Sequence, residues 1–141
     1  MLYDKLKENL NTEFKSSFND EVIETLVAFA NTNGGKVLVG VDNKGMPIKK
    51  FMIGDETVQQ WINEIKTKTQ PSLIPDSTII DRVGGKVVEL SVKEFPVKPV
   101  SFRGRYYNMI VHRFICIMAI LPLRYMLAEM QNDRVSKFNP E

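Results

Sequence analysis

The stretch AFANTNGGKVLVGVDNKG, residues 28–45, decides how this chain folds. Residues 31–33 are poor helix formers, and Gly34 or Gly35 can adopt the positive φ that ends a helix and reverses the chain. The segment KVLVGVD that follows is rich in valine and leucine, as buried strands are, and residues 42–45 predict a turn before a second strand, MPIKKFM. The stretch therefore predicts a helix end, a strand and a hairpin in immediate succession.

Two segments with apolar residues at helical spacing predict the main helices. In SSFNDEVIETLVAFAN, Asn19 or Asp20 can cap the first turn, and an apolar stripe follows at three- and four-residue spacing. In GDETVQQWINEIKTKTQ, Asp55 is the candidate cap, and Trp61 falls on the apolar face, where we expect it to anchor the core.

Alternating and β-rich segments predict the strands. NTEFK alternates with a period of two, STIIDRV and KVVELSVKE flank a turn at Gly84 and Gly85, and SFRGRYY reads as an added edge strand. The order of helices and strands predicts an α+β fold, with a mixed β-sheet and two main helices packed on one face.

Composition is that of one ordinary globular domain. The 141 residues are 43% hydrophobic and 26% charged, and the lone Cys116 cannot form an internal disulfide. The first residues, MLYDKLKENLN, lack the apolar core of a signal peptide, so we expect a cytoplasmic protein. Residues 1–60 carry seven Lys and nine acidic residues, net −2, while residues 61–141 carry twelve Lys or Arg and eight acidic residues, net +4.

The segment MIVHRFICIMAILPL, residues 109–123, is dominantly apolar and departs from the rest of the composition. It is too short to span a membrane as a helix, which needs ~20 apolar residues, and no membrane partner is expected. Three interpretations stay open: a buried helix or strand, a surface for homo-oligomer formation, or a segment outside the native reading frame.

Three motifs together resemble the Schlafen AlbA-like domain: EFKSSF, the helix-to-strand stretch LVAFANTNGGKVLVGVDNKG, and FRGRYY. The resemblance covers about residues 5–107. It implies a nucleic-acid-binding domain at residues 1–107, followed by an atypical apolar extension at residues 108–141. Proteins with this domain are often described as transcriptional regulators or RecG-like helicase-related proteins, so the implied partner is DNA or structured RNA.

The same resemblance raises a nuclease alternative. Schlafen nucleases carry two glutamates five residues apart and an aspartate after the Gly-Gly strand, which correspond to Glu8, Glu13 and Asp42. Grouped carboxylates can hold Mg²⁺ or Mn²⁺ for phosphodiester cleavage, whereas a binding domain requires no cofactor. Each acid also has a structural interpretation, since Glu8 and Glu13 can be solvated or ion-paired and Asp42 can shape a turn.

Cationic and aromatic side chains are the candidates for contacts with nucleic acid. Ammonium and guanidinium groups neutralise phosphates, and an exposed tyrosine can stack on an unpaired base, so we expect phosphate contacts with little base specificity. Strand packing is the alternative role for the tyrosines. The candidates are Lys15, Lys98, Arg103, Arg105, Tyr106 and Tyr107.

The loop of Asn31, Thr32, Gly34 and Gly35 also invites a phosphate-loop interpretation, with ATP as ligand. A Gly-Lys-Ser/Thr sequence is missing, and the glycine pair precedes a strand where a phosphate loop would open a helix. A helix end is therefore favoured, and ATP binding is kept as a minor alternative.

Overall fold

The computed structural model describes residues 11–48, 53–96, 99–112 and 115–122, together with residues 124 and 127. Within them the chain forms two helices and eight strands, which confirms the α+β class. The elements are β1 Thr12–Lys15, α1 Asp20–Ala30, β2 Gly35–Val39, α2 Asp55–Lys68, β3 Thr69–Gln70, β4 Asp76–Arg82, β5 Gly85–Val92, β6 Ser101–Phe102, β7 Arg105–His112 and β8 Ile115–Leu121.

The strands form two four-stranded sheets, where the sequence indicated one. The first sheet has the order β1-β2-β5-β4 and is mixed, because β1 pairs with β2 in parallel and the other pairs are antiparallel. The second sheet has the order β3-β6-β7-β8 and is antiparallel throughout. The apolar segment after residue 108 supplies part of β7 and all of β8, and the division predicted after residue 107 falls inside β7.

Helix α1 packs against both sheets. Eight of its eleven residues are buried, more than the one-sided stripe of a surface helix. The core around it takes valines and leucines from the first sheet and larger side chains, Phe102, Tyr107 and Met109, from the second. The helix therefore lies at the centre of the apolar core.

The end of α1 is closed by backbone hydrogen bonds from the loop that follows. The carbonyl of Phe29 accepts from the N–H of Thr32 at 3.1 Å and of Gly34 at 2.8 Å. Gly34 has a φ of +78°, and a Cβ there would lie 2.8 Å from the carbonyl oxygen of Val92. This conformation, which glycine adopts without steric cost, confirms the predicted helix end.

The edge strand β1 turns its two charged residues towards α1. Glu13 pairs with Val37 and Lys15 with Val39, and paired residues point to the same face of a sheet. Val37 and Val39 belong to the core around α1. Phe14 lies on the other face, in a small second apolar cluster of Leu38, Val41 and Val87.

Helix α2 begins one residue earlier than predicted. Gly54, not Asp55, occupies the N-cap position and makes no side-chain cap hydrogen bond, and Asp55 is the first helical residue. Trp61 packs against the core and stacks on Phe18, with ring centroids 4.8 Å apart, which confirms its predicted anchoring role.

Three strand predictions need correction. In the segment MPIKKFM, residues 49–52 lie outside the described residues, and the described part contributes an isolated bridge of Pro47 to Val41 in place of a strand. The β4–β5 turn consists of Val83 and Gly84, because Gly85 already pairs with Arg82. SFRGRYY forms the β6–β7 hairpin in the interior of the second sheet, since β8 adds a strand beyond it.

Among the residues that the structure describes, no helix is both long and apolar enough to cross a membrane.

Replacement of Gly35 by alanine should destabilise the fold. A Cβ at residue 35 would lie 2.5 Å from Cδ1 of Phe29, so the buried ring or the strand must shift. We expect a loss of about 1–3 kcal/mol in the free energy of unfolding, measured by urea denaturation. Gly54→Ser is the control: its Cβ meets open space at a helix N-cap, and we expect a gain of roughly a few tenths of a kcal/mol. Equal stability of Gly35→Ala and wild type would contradict this packing.

Candidate nucleic-acid interface

The β6–β7 hairpin turns through only two residues, Arg103 and Gly104, because Phe102 pairs directly with Arg105. Both turn residues have positive φ, 52° for Arg103 and 74° for Gly104, as a type I′ turn requires. Asn, Asp and Gly are the usual residues at the first position, and arginine there is strained. The hairpin thus holds an exposed cation at a position where turn chemistry alone favours other residues.

Two contacts orient the Arg103 side chain. Its Nη1 lies 2.9 Å from Oδ2 of Asp20, in the first turn of α1. Its guanidinium carbon lies 5.2 Å from the centroid of the Phe102 ring, within the range of a cation–π interaction. The side chain stays 57% exposed, so it remains accessible to a ligand.

Cations from three elements converge on the first turn of α1. Besides Arg103, Lys68 at the end of α2 lies 3.4 Å from Oδ1 of Asp20, and Lys15 of β1 lies 3.7 Å from Oε2 of Glu21. We call these five residues the charge cluster: Lys15, Asp20, Glu21, Lys68 and Arg103. Lys68 was not among the predicted cations, because its only signal in the sequence is its four-residue spacing from Glu64, with which it forms an ion pair at 3.4 Å.

The charge cluster contains three cations and two acids, and all five side chains are at least partly exposed to solvent. Glu21 is 69% exposed and Asp20 is 42% exposed. Ion pairs of this kind contribute little to stability, typically ~0–1 kcal/mol, because water and salt screen them. A phosphate group can therefore compete with these carboxylates for the cations.

Arg105 and Tyr107 lie one helical turn further along α1, beside Glu24. The hydroxyl of Tyr107 donates to Oε1 of Glu24 at 3.1 Å, and Arg105 lies next to the same hydroxyl. Burial raises the pKa of Tyr107 above its ordinary value of 10.0, and the charge and hydrogen bond of Glu24 raise it further, while Arg105 acts in the opposite direction. Tyr107 is 2% exposed and packs beside Phe102, so its ring is not available for stacking on a base in this conformation.

The other predicted binding residues are placed differently. Tyr106 is half-buried, which leaves part of its side chain at the surface, and strand alternation puts it on the opposite face of β7 from Arg105 and Tyr107. Lys98 lies outside the described residues. Of the predicted cations, the structure brings Lys15 and Arg103 into the charge cluster, and Arg105 lies on the same hairpin as Arg103.

The Asn31 side chain joins α1 to the second sheet. Its Nδ2 donates to the carbonyls of Val100 at 2.9 Å and Tyr107 at 2.8 Å, and its Oδ1 accepts from the N–H of Val100 at 2.7 Å. Thr32 Oγ1 donates to the carbonyl of Ala28 at 2.8 Å and also contacts the Asn108 side chain. The polar groups of both side chains are thus engaged within the fold.

The three carboxylates of the nuclease alternative are only partly described. Glu8 lies outside the described residues, and Glu13 is half-buried on the α1-facing side of β1. Oδ1 of Asp42 accepts from the N–H of Lys44 at 2.9 Å and of Met46 at 3.0 Å, which shapes the turn after β2. Among the described residues, no three His, Cys, Asp or Glu side chains group closely enough to hold a metal.

The structure is a small α+β domain in which two sheets enclose one apolar helix and a basic hairpin reaches solvent. The family model described as Schlafen, AlbA_2 matches residues 8–113 of the chain. The chain belongs to this family, as its motifs indicated.

Two solved structures share the fold. One is the N-terminal domain of a protein from Nitrosomonas europaea whose name relates it to the ATP-dependent DNA helicase RecG; it is 24% identical, with a TM-score of 0.59, and the match covers 81% of this chain and 88% of that domain. The other is the DIP2311 protein from Corynebacterium diphtheriae, 19% identical, also with a TM-score of 0.59, and the match covers 76% of this chain. This chain spans only 22% of that protein. No curated protein matches the chain.

Loss of the Asn31 side chain should strongly destabilise the domain. Asn31→Ala removes three hydrogen bonds: those that the side chain forms with the N–H and the carbonyl of Val100, and the one that it donates to the carbonyl of Tyr107. We expect a loss of about 2–4 kcal/mol in the free energy of unfolding by chemical denaturation. Asn33→Ala, at an exposed position two residues away, is the matched control and should stay within about 0.5 kcal/mol of wild type. Equal losses in the two variants would refute the role given to Asn31.

The contribution of Tyr107 to stability should depend on alkaline pH. Its pKa is higher in the folded than in the unfolded state, so its stabilising effect is complete below pH 10 and declines as the pH rises above that value. Tyr107→Phe should cost about 1–2 kcal/mol at neutral pH, and this difference from wild type should shrink above about pH 10. Denaturation curves across this pH range provide the measurement. Tyr106→Phe should retain the alkaline decline of wild type, and a pH-independent difference for Tyr107→Phe would contradict the assignment.

Proposed function

We propose that this domain binds nucleic acid through its phosphate groups, with the cations of the charge cluster and Arg105 as the contact residues. The observation that carries the proposal is the arginine at the tip of the β6–β7 hairpin. Arg103 adopts a positive φ, is held at 2.9 Å by Asp20, and remains more than half exposed. Strained residues that the surroundings hold in place occur often at ligand-binding sites.

The chemistry of the surface favours phosphate contacts over base recognition. Lys15, Lys68 and Arg103 are donors that match phosphate oxygens; they come from three separate regions of the chain, and Arg103 is the most exposed while Lys15 and Lys68 are half-buried. Contacts with phosphates fix position and carry little sequence information. Tyr106, half-buried on the opposite face of β7 from Arg105, is the one predicted tyrosine left for stacking on an unpaired base.

Family membership and the RecG-related neighbour support DNA as the partner, with structured RNA as the alternative. That neighbour is the N-terminal domain of its protein, which fits a role for the present domain as the binding module of a transcriptional regulator or of a helicase-related protein acting in the cytoplasm.

ATP is not favoured as a ligand of this domain, although the name of that neighbour relates it to an ATP-dependent enzyme. The N–H groups of Asn31, Thr32 and Gly34 donate to carbonyls of α1, which supports a helix end in place of a phosphate loop.

Arg103→Asn should weaken binding without weakening the fold. Asparagine is favoured at the first position of a type I′ turn, so the variant removes a cation while it relieves backbone strain. Binding to single-stranded DNA, double-stranded DNA and structured RNA should be measured across a salt series. We expect the wild-type affinity to fall steeply with salt, and the slope of log K against log salt to decrease by about 0.7–0.9 in the variant for one lost phosphate contact.

Two further variants sharpen this experiment. Asp20→Asn removes the carboxylate that pairs with both Arg103 and Lys68. Arg103 is then freed while Lys68 keeps its ion pair with Glu64, and affinity should rise. Lys86→Ala is the control: Lys86 is exposed on β5, away from the hairpin, and its loss should leave the salt slope unchanged. Salt-independent binding, or equal effects of Arg103→Asn and Lys86→Ala, would refute the proposed interface.

The nuclease alternative is tested on the same samples. Incubation with Mg²⁺ or Mn²⁺ and a denaturing gel would reveal fragments if Glu8, Glu13 and Asp42 form a metal site. Fragments that disappear in Glu13→Gln, with binding retained, would identify an enzyme. Intact nucleic acid at every salt and metal concentration is the result expected of a binding module.

A further inference from the structure

The strand β8 forms an open edge of the second sheet. Within the part of the chain that the structure describes, β8 pairs with β7 on one side and no strand follows it in the sheet order. Such an edge presents a row of backbone N–H and carbonyl groups that can pair with another strand. Seven residues, Ile115–Leu121, form this edge.

The other three sheet edges carry features that discourage such pairing. The edge strand β3 has two residues and is followed by Pro71, and β1 has four residues, of which Glu13 and Lys15 are charged. The edge strand β4 contains Asp76, Asp81 and Arg82. Short length, charge and proline are the means by which native proteins protect edges. By contrast, the β8 sequence ICIMAIL has no charged residue.

Two described side chains of β8, Met118 and Ile120, lie on the face of the sheet that Met109 and Tyr107 also share. The Met118 side chain packs against the core, and its sulfur lies 3.7 Å from Oγ1 of Thr25 in α1. Ile120 shares the face of Met118 by the alternation of strand residues, yet it is 59% exposed. Leu127, after the strand, is 45% exposed. Among the described residues, β8 therefore leaves an apolar side chain, Ile120, exposed.

We propose that β8 pairs with β8 of a second copy of this chain, antiparallel across a two-fold axis, so that two second sheets join into one of eight strands. A two-fold axis brings each strand against its own sequence, and a strand without charge meets no like-charge repulsion there. The terminal segments of the same chain are poorer occupants: residues 128–141 include five charged residues and a proline, and residues 1–10 include four charged residues. The second copy would cover Ile120.

The test is the concentration dependence of the mass of the full chain in sedimentation and light-scattering experiments. We expect a monomer–dimer equilibrium from low to high micromolar concentration. Ile120→Lys places a charge at the edge and should weaken dimerisation by roughly tenfold or more, because an apolar burial is replaced by a buried charge. Val83→Lys is the matched control, since Val83 is also exposed, at 71%, but lies on the β4–β5 turn of the other sheet.

Hydrogen exchange gives a readout that does not depend on the variants. Amides of residues 115–121 should become more protected as the concentration rises, while those of β4 should not change. A monomer at every concentration, equal effects of the two lysine variants, or unchanged protection of β8 would each overturn the proposal. A chain that is monomeric at full length but dimerises when shortened to residues 1–127 would also overturn it, because the chain's own terminal segment would then cover the edge.

Discussion

The burial of α1 on nearly every side is the constraint on which the rest of the structure depends. A helix with eight of eleven residues buried cannot rest on a single sheet, because its far side would remain in water. The first sheet covers one side, and β6, β7 and β8 cover the other. At the end of the helix, the Asn31 side chain joins α1 to the second sheet, because its amide forms hydrogen bonds with the backbone of Val100 and with the carbonyl of Tyr107. Covering α1 on nearly every side therefore requires both sheets.

Local signals predicted most of the elements, and long-range pairing accounts for what they missed. The helix at residues 20–30, its end at Gly34 and the β4–β5 hairpin follow from capping, glycine conformation and period-two alternation. The second sheet depends on the pairing of β7 with an apolar segment whose composition fits helix, strand or interface equally well. The N-cap at Gly54 was missed because Asp55 has the better capping side chain, and backbone geometry decided otherwise.

The candidate site was predictable by residue type and not by arrangement. Charge and the family motifs were enough to predict Lys15 and Arg103 as candidates. Nothing in the sequence near Lys68 predicts that it lies beside Asp20, because this contact depends on how α2 packs in the folded chain. The two tyrosines could not be told apart from the sequence, because they are adjacent and have the same side chain. In the structure, Tyr107 is buried against α1 as a core residue, while Tyr106 stays partly at the surface. The two acids of the first helical turn lie among the three cations, so the charge cluster carries a small net positive charge.

The strand order has a consequence for how this chain folds during synthesis. Residue 35 of β2 pairs with residue 92 of β5, and Asn31 bonds to residues 100 and 107, so α1 cannot be covered until most of the domain has been made. Contacts between residues so distant in sequence slow folding, since a long loop must close before any of them forms. We therefore expect the apolar α1 segment to stay uncovered for much of translation, and a truncation before residue 109 to leave it without most of the second sheet.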